Sequence, residues 1–192
     1  MVMATTISMS VFTGLSLSTY LGFRIGLGTC SRYEPIEDFD AARFKGVWYE
    51  LQRDSEISFE DGECVTAQYG DTDSEAKIRV TNTQYYPSTG RKDQIEGYAY
   101  GSTLRPGNIN VYFFADFGAD YRVISTDYTS YALIYSCTSL VGGLKVQDSS
   151  WVLVRDPIEE GSAEFDAIMA IVEPIYKEKV PEFDKAARMR TT

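Results

Sequence analysis

The sequence contains no histidine. That excludes a Ser-His or Cys-His catalytic pair within the chain, and any histidine-ligated metal site. Basic residues are also scarce. Lys and Arg total 18 against 28 Asp and Glu, a net charge of −10 with a pI near 4.5. A phosphate backbone needs a basic face, so nucleic acid is not an expected partner. Adsorption to an anionic membrane through a polybasic patch is disfavoured for the same reason. No Asn-x-Ser/Thr acceptor occurs: Asn82 is followed by Thr83-Gln84 and Asn108 by Ile109-Asn110. No low-complexity stretch, no Pro/Gly-rich linker and no repeat divides the chain, so its bulk reads as one domain. No metal and no cofactor is expected. Charge is missing locally too, because the first charged residue is Arg24.

That charge-free N-terminus sets the organisation. Residues 1–25 form a hydrophobic leader and residues 26–192 the folded domain. Three readings of the leader are open. A secretory signal peptide fits an apolar stretch ahead of a cysteine-bearing domain, although a basic start and a clean small-residue cleavage site are missing. An uncleaved membrane anchor fits the length of residues 2–23. A disordered or organelle-targeting leader fits the abundant Ser and Thr.

What is abundant is aromatic: 14 Tyr and 10 Phe in a chain that is 44% hydrophobic. Such residues favour strands and supply a core. Short strand-type runs follow one another at residues 46–53, 64–70, 77–84, 94–102, 110–115, 120–127, 130–137 and 147–155. Turn signals separate them, such as residues 71–74, 87–90 and Pro106-Gly107. The period then changes. Ala163, Phe165, Ile168, Met169, Ile171 and Val172 follow helical spacing, with Ser162 as N-cap and Pro174 interrupting or ending the helix. Residues 185–192 read as a basic, frayed tail. The fold class is therefore all-β: eight antiparallel strands that can close up-and-down into a barrel, with one C-terminal helix outside.

Three motifs make this reading specific. Residues 44–51 read FKGVWYEL, residues 126–137 read TDYTSYALIYSC, and residues 151–157 read WVLVRDP. In that order and spacing they resemble the three signatures of the lipocalin family, and within it the apolipoprotein D-like and bacterial outer-membrane lipocalins. The resemblance implies a lipocalin barrel holding a small apolar molecule. It also implies structural roles for Gly46, Trp48, Thr126, Asp127, Tyr128 and Arg155. Trp48 closes one end, Arg155 lies over its indole, and Asp127 and Tyr128 tie a turn there. The same resemblance pairs Cys30 with Cys137, which implies an oxidising compartment. Cys64 is then left over. It reads as a free thiol, with an intermolecular contact or a reactive thiolate as the alternatives.

Matching positions place Phe44, Tyr69, Asn82, Phe114, Tyr121, Trp151 and Leu153 in the ligand pocket. Parity agrees that Trp151 and Leu153 face the side of Arg155, that Ile78, Val80 and Asn82 share a face, and that Tyr112 and Phe114 share another. Aromatic crowding could instead fill the barrel. Neither an inward cation near the mouth nor convergent inward carboxylates are evident, which favours a neutral ligand such as a sterol, carotenoid, quinone or acyl ester. Carriage of such a molecule, without catalysis, is the expected function. It points to the secretory pathway, the extracellular space or a membrane facing an oxidising compartment, with an organelle membrane also open. The alternative is a membrane-anchored accessory subunit, joined through residues 1–25 to a larger membrane-protein complex.

Overall fold

The computed structural model describes residues 30, 33–55, 57, 60–74, 77–102, 104–113, 118–139, 145–181 and 189–192. The leader assigned to residues 1–25 lies outside them. Among the described residues, no helix is long and apolar enough to cross a membrane.

Eight strands run β1 (Gly46–Asp54), β2 (Glu63–Gly70), β3 (Ile78–Tyr86), β4 (Arg91–Gly101), β5 (Asn108–Tyr112), β6 (Ala119–Thr126), β7 (Tyr131–Ser139) and β8 (Lys145–Val154). Each pairs antiparallel with the next, and β1 pairs with both β8 and β2, so the sheet closes on itself. The expected eight-stranded barrel is present. Strand β5 starts two residues earlier than its pattern indicates. The Pro106-Gly107 turn is tight, with Asn108 N donating to Arg105 O at 2.8 Å, so pairing begins at once.

Closure sorts side chains into two cores by alternation. Trp48, Tyr69, Val80, Val111, Val123, Ile134 and Leu153 fill the inside. Leu51, Ile124, Leu133, Tyr135, Val152 and Val154 form an outer layer beneath α2 (Ala163–Lys179). That helix begins at Ser162, whose hydroxyl accepts from Phe165 N at 3.1 Å, with Glu164 and Asp166 in its first turn and Lys177 and Lys179 in its last. Both charge placements suit the helix dipole. Pro174 does not end it. The ring removes one backbone donor on the exposed face, while Ile168, Met169, Val172 and Tyr176 anchor the opposite face to the barrel. Tyr176 also shares a 2.7 Å hydrogen bond with Ser150.

The C-terminus is likewise not frayed where it is described. Residues Met189–Thr191 form β9, antiparallel to Gln52–Asp54. The cause is an unfilled edge: β2 pairs with β1 only as far as Tyr49, and β9 takes the backbone groups beyond. At the other terminus Cys30 is bonded to Cys137, with Cα atoms 5.8 Å apart, and Tyr33 packs edge-on against Tyr135. A single-turn helix, α1 (Ala41–Phe44), capped by Asp40, leads into β1.

Candidate functional site

The barrel is sealed at the end where β1 begins. Trp48 is fully buried and donates its indole N–H to Phe44 O at 2.9 Å. Arg155 lies 3.7 Å above the indole and donates to Tyr128 O, Val47 O and Arg43 O, each at 3.0 Å. Gly46 is required here: its φ is +106°, and a Cβ would stand 3.0 Å from the guanidinium. Beside it, Asp127 accepts backbone N–H groups from Thr129, Ser130 and Tyr131, and also the Ser130 hydroxyl. Burial works against the Asp127 charge, but those donors outweigh it and hold the carboxyl below its ordinary range. Thr126 bridges Tyr131 O and Tyr128 N, and Tyr128 reaches Asp38 and Asp40 of the N-terminal strap. All six motif residues therefore meet at one end.

Above this floor the interior is aromatic and aliphatic. Phe44 belongs to the floor itself, its ring 5.0 Å from Trp48 and 5.1 Å from Tyr69. Tyr69 shares a 2.8 Å hydroxyl–hydroxyl hydrogen bond with Tyr121, whose ring lies 6.4 Å from Trp151. Leu153 is buried in the same cluster. Asn82 lies on the inner face of β3, opposite Ala67, and its Oδ1 is buried without a hydrogen-bond partner. Phe114 lies outside the described residues. Ile109 and Val111 are the buried residues of β5, Phe113 packs inward, and Tyr112 stands outside, 5.8 Å from Tyr100. An inward row of Ile109, Val111 and Phe113 leaves Asn110 and Tyr112 on the outer face.

Three polar residues that gather at the open end were missed. Arg53 pairs with Trp151 across the β1–β8 ladder and therefore faces inward. Its Nη1 donates to Glu50 Oε1 at 2.7 Å and its Nη2 to Gly62 O at 2.8 Å. Glu60, from the β1–β2 connection, accepts the Trp151 indole N–H at 2.8 Å. The mouth thus holds both an inward cation and convergent carboxylates, contrary to the sequence reading. A β-bulge explains the error. The register shifts between Glu50 and Gln52, so Leu51 joins the outer core, Gln52 lines a cleft beside α2, and Arg53 returns to the inside.

Burial dominates the electrostatics of this cluster. Together with the Glu60 charge it pushes Glu50 up to about 8 against the pull of Arg53. It raises Glu60 as well, against the Trp151 N–H and Arg53. Burial also pushes Tyr69 up to about 12 and Tyr121 well above its ordinary value, so both remain neutral hydroxyls. The interior thus presents aromatic and aliphatic walls above the sealed floor and a polar cluster near the mouth. Cys64 stands apart: it is exposed and free at the start of β2, with a φ of 49°.

The comparisons with known proteins agree with this geometry. The model of the lipocalin-like domain matches residues 39–173. Apolipoprotein D of Rattus norvegicus is 36% identical over 151 residues, covering 78% of this chain and 77% of that one. Outer membrane lipoprotein Blc of Escherichia coli is 36% identical over 125 residues, covering 64% and 65% of the two chains. Among solved structures, insecticyanin from the tobacco hornworm Manduca sexta superposes with a TM-score of 0.70 at 23% identity, covering 89% of each chain. The closed eight-stranded barrel, the Trp48–Arg155 floor, the Cys30–Cys137 bridge and these relatives together establish that the chain belongs to the lipocalin family.

Proposed function

We propose that this protein is a carrier that binds one small, largely apolar, uncharged molecule inside the barrel. The observation that carries this reading is the asymmetry of the interior. One end is sealed by Trp48 and Arg155, the walls are aromatic and aliphatic, and polar groups gather at the opposite end. Such a vessel admits a ligand from one side and buries most of its surface. The inward Arg53 does not turn the preference toward fatty acids. Glu50 and Glu60, sharing a proton, already balance its charge, and a ligand carboxylate would add an unbalanced anion to a desolvated set. The Cys30–Cys137 bridge supports an oxidising environment, hence export. The accessory-subunit alternative depends on residues 1–25 and draws no support from the described ones.

Fluorescence enhancement of diphenylhexatriene, a probe with no polar atom, tests the reading. Saturable one-to-one enhancement, reversed by methyl palmitate more readily than by palmitate, is expected. Failure to bind any apolar probe sinks the carrier function. Tighter binding of palmitate sinks the preference for an uncharged ligand.

A further inference from the structure

One donor inside the barrel has no acceptor. Arg53 is 2% exposed, and its two terminal nitrogens are engaged by Glu50 Oε1 and Gly62 O. Its Nε–H is buried and makes no hydrogen bond. An orphaned N–H in such a place is rare, because leaving it unmade forfeits the full cost of desolvation. The donor belongs to a strand residue paired with Trp151, so it lies on the inner face of the barrel, the face that lines the interior.

The charge of that guanidinium is already answered. Glu50 lies 2.7 Å from it, and Glu60 stands beside both, held by Trp151. Burial favours a shared proton on the two carboxyl groups, which leaves the three residues together near neutrality. What remains for a ligand is a directional N–H without net positive charge. A carboxylate gains little from it and meets two glutamates. An ammonium group offers no acceptor. A hydrocarbon leaves the donor unsatisfied.

We propose that Arg53 is a specificity-determining residue whose Nε–H hydrogen-bonds a neutral acceptor oxygen of the ligand, so that the barrel selects lipophilic carbonyl compounds, either ketones or esters. This rests on the carrier reading above and names the ligand class within it. Glu50 and Glu60 act here as positioning residues, fixing the guanidinium fork and cancelling its charge.

The test is displacement of diphenylhexatriene from the full chain by hexadecane, methyl palmitate, palmitate and cetylamine, repeated in Arg53→Lys. Lysine keeps the positive charge between the two glutamates and lacks the Nε–H. A second variant, Glu50→Gln/Arg53→Met/Glu60→Gln, removes the charged set altogether and guards against misfolding of the first. In the native protein methyl palmitate is expected to bind about fivefold to tenfold more tightly than hexadecane, the range of one hydrogen bond. That ratio is expected to fall to about one in both variants, with hexadecane itself unchanged, a comparison in which solvation differences between the probes cancel. If no compound displaces the probe, the carrier reading falls and this inference with it. If ester and hydrocarbon bind alike in the native protein, the inference falls and the carrier reading stands. Palmitate or cetylamine outcompeting the ester, or an ester preference that survives in Arg53→Lys, also overturns it.

Discussion

Replacing Glu50 by glutamine changes how stability depends on pH. Glu50 is buried beside Glu60, and its carboxyl is pushed up to about 8 from an ordinary 4.5. The folded state therefore binds a proton that the unfolded chain has already released. Stability is full below the unfolded value and is lost as pH rises through the window from about 4.5 to about 8, flattening above it. At about 1.4 kcal/mol for each pH step of one, the loss is on the order of 3–5 kcal/mol. Glutamine is close to the protonated acid in shape and keeps an oxygen for Arg53, so near pH 5 the variant is expected to match the native protein within about 1 kcal/mol. Near pH 9 the native protein has lost more stability than the variant, in which only the raised Glu60 carboxyl still contributes a loss.

Urea denaturation reads this directly. Trp48 and Trp151 both sit inside the barrel and report unfolding by fluorescence, with the disulfide kept oxidised. The expected outcome is crossing stability-against-pH curves, with the variant the flatter of the two. Asp71 and Asp127, held below their ordinary range, act in the opposite sense and only at acid pH, outside the window. Parallel curves, or a variant less stable than the native protein at alkaline pH, would refute the argument that the Glu50 proton is bound by the fold.

Three further outcomes follow from particular contacts. Arg155→Met keeps the bulk over Trp48 but strips donors from three backbone carbonyls and removes the cation–π contact. A loss of about 3 kcal/mol in urea is expected, with the barrel still binding diphenylhexatriene more weakly. Gly97→Ala drives a Cβ into Tyr112 O, a backbone atom that cannot yield without parting β4 from β5. It should cost more than about 3 kcal/mol, whereas Gly101→Ala, with open space around it, stays within about 1 kcal/mol by thermal melting. Reducing the Cys30–Cys137 bridge opens a loop of 107 residues, and the chain-entropy relation gives about 5 kcal/mol at most. A loss of unfolding free energy in urea below about 0.5 kcal/mol would refute the loop-entropy account of the bridge.

The architecture was legible because it follows from periodicities that nothing in the chain contradicts. Alternating runs between Gly, Pro and Asp turns make strands, and eight of them close. The change to helical spacing after Ser162 makes the outer helix. The floor was legible for a different reason: Gly46, Trp48, Asp127 and Arg155 need one another's geometry, so their motifs survive as recognisable strings. Pro174 and the C-terminal strand were misjudged because both depend on partners distant in sequence. The apolar face of α2 holds the helix together past its proline, and the unfilled edge of β1 recruits Met189–Thr191.

The mouth was illegible for a reason that also bears on its chemistry. From Trp48, strict alternation puts Glu50, Gln52 and Asp54 inside and Arg53 outside, a row of acceptors with no cation. One inserted residue at the bulge reverses the face, brings Arg53 in against Glu50, and sends Gln52 to the helix side. Glu60, ahead of β2, then meets Trp151, a contact between residues 91 apart in the chain. Neither event leaves a periodic trace. Yet the bulge decides what the barrel offers its ligand. Without it the mouth would present uncompensated carboxyl groups, suited to cations. With it Arg53 and the two carboxyl groups, sharing a proton, come to near neutrality, and among the described residues the Arg53 Nε–H is left unanswered. The same local irregularity that defeats pattern reading is therefore what converts an acidic rim into a site for a neutral acceptor.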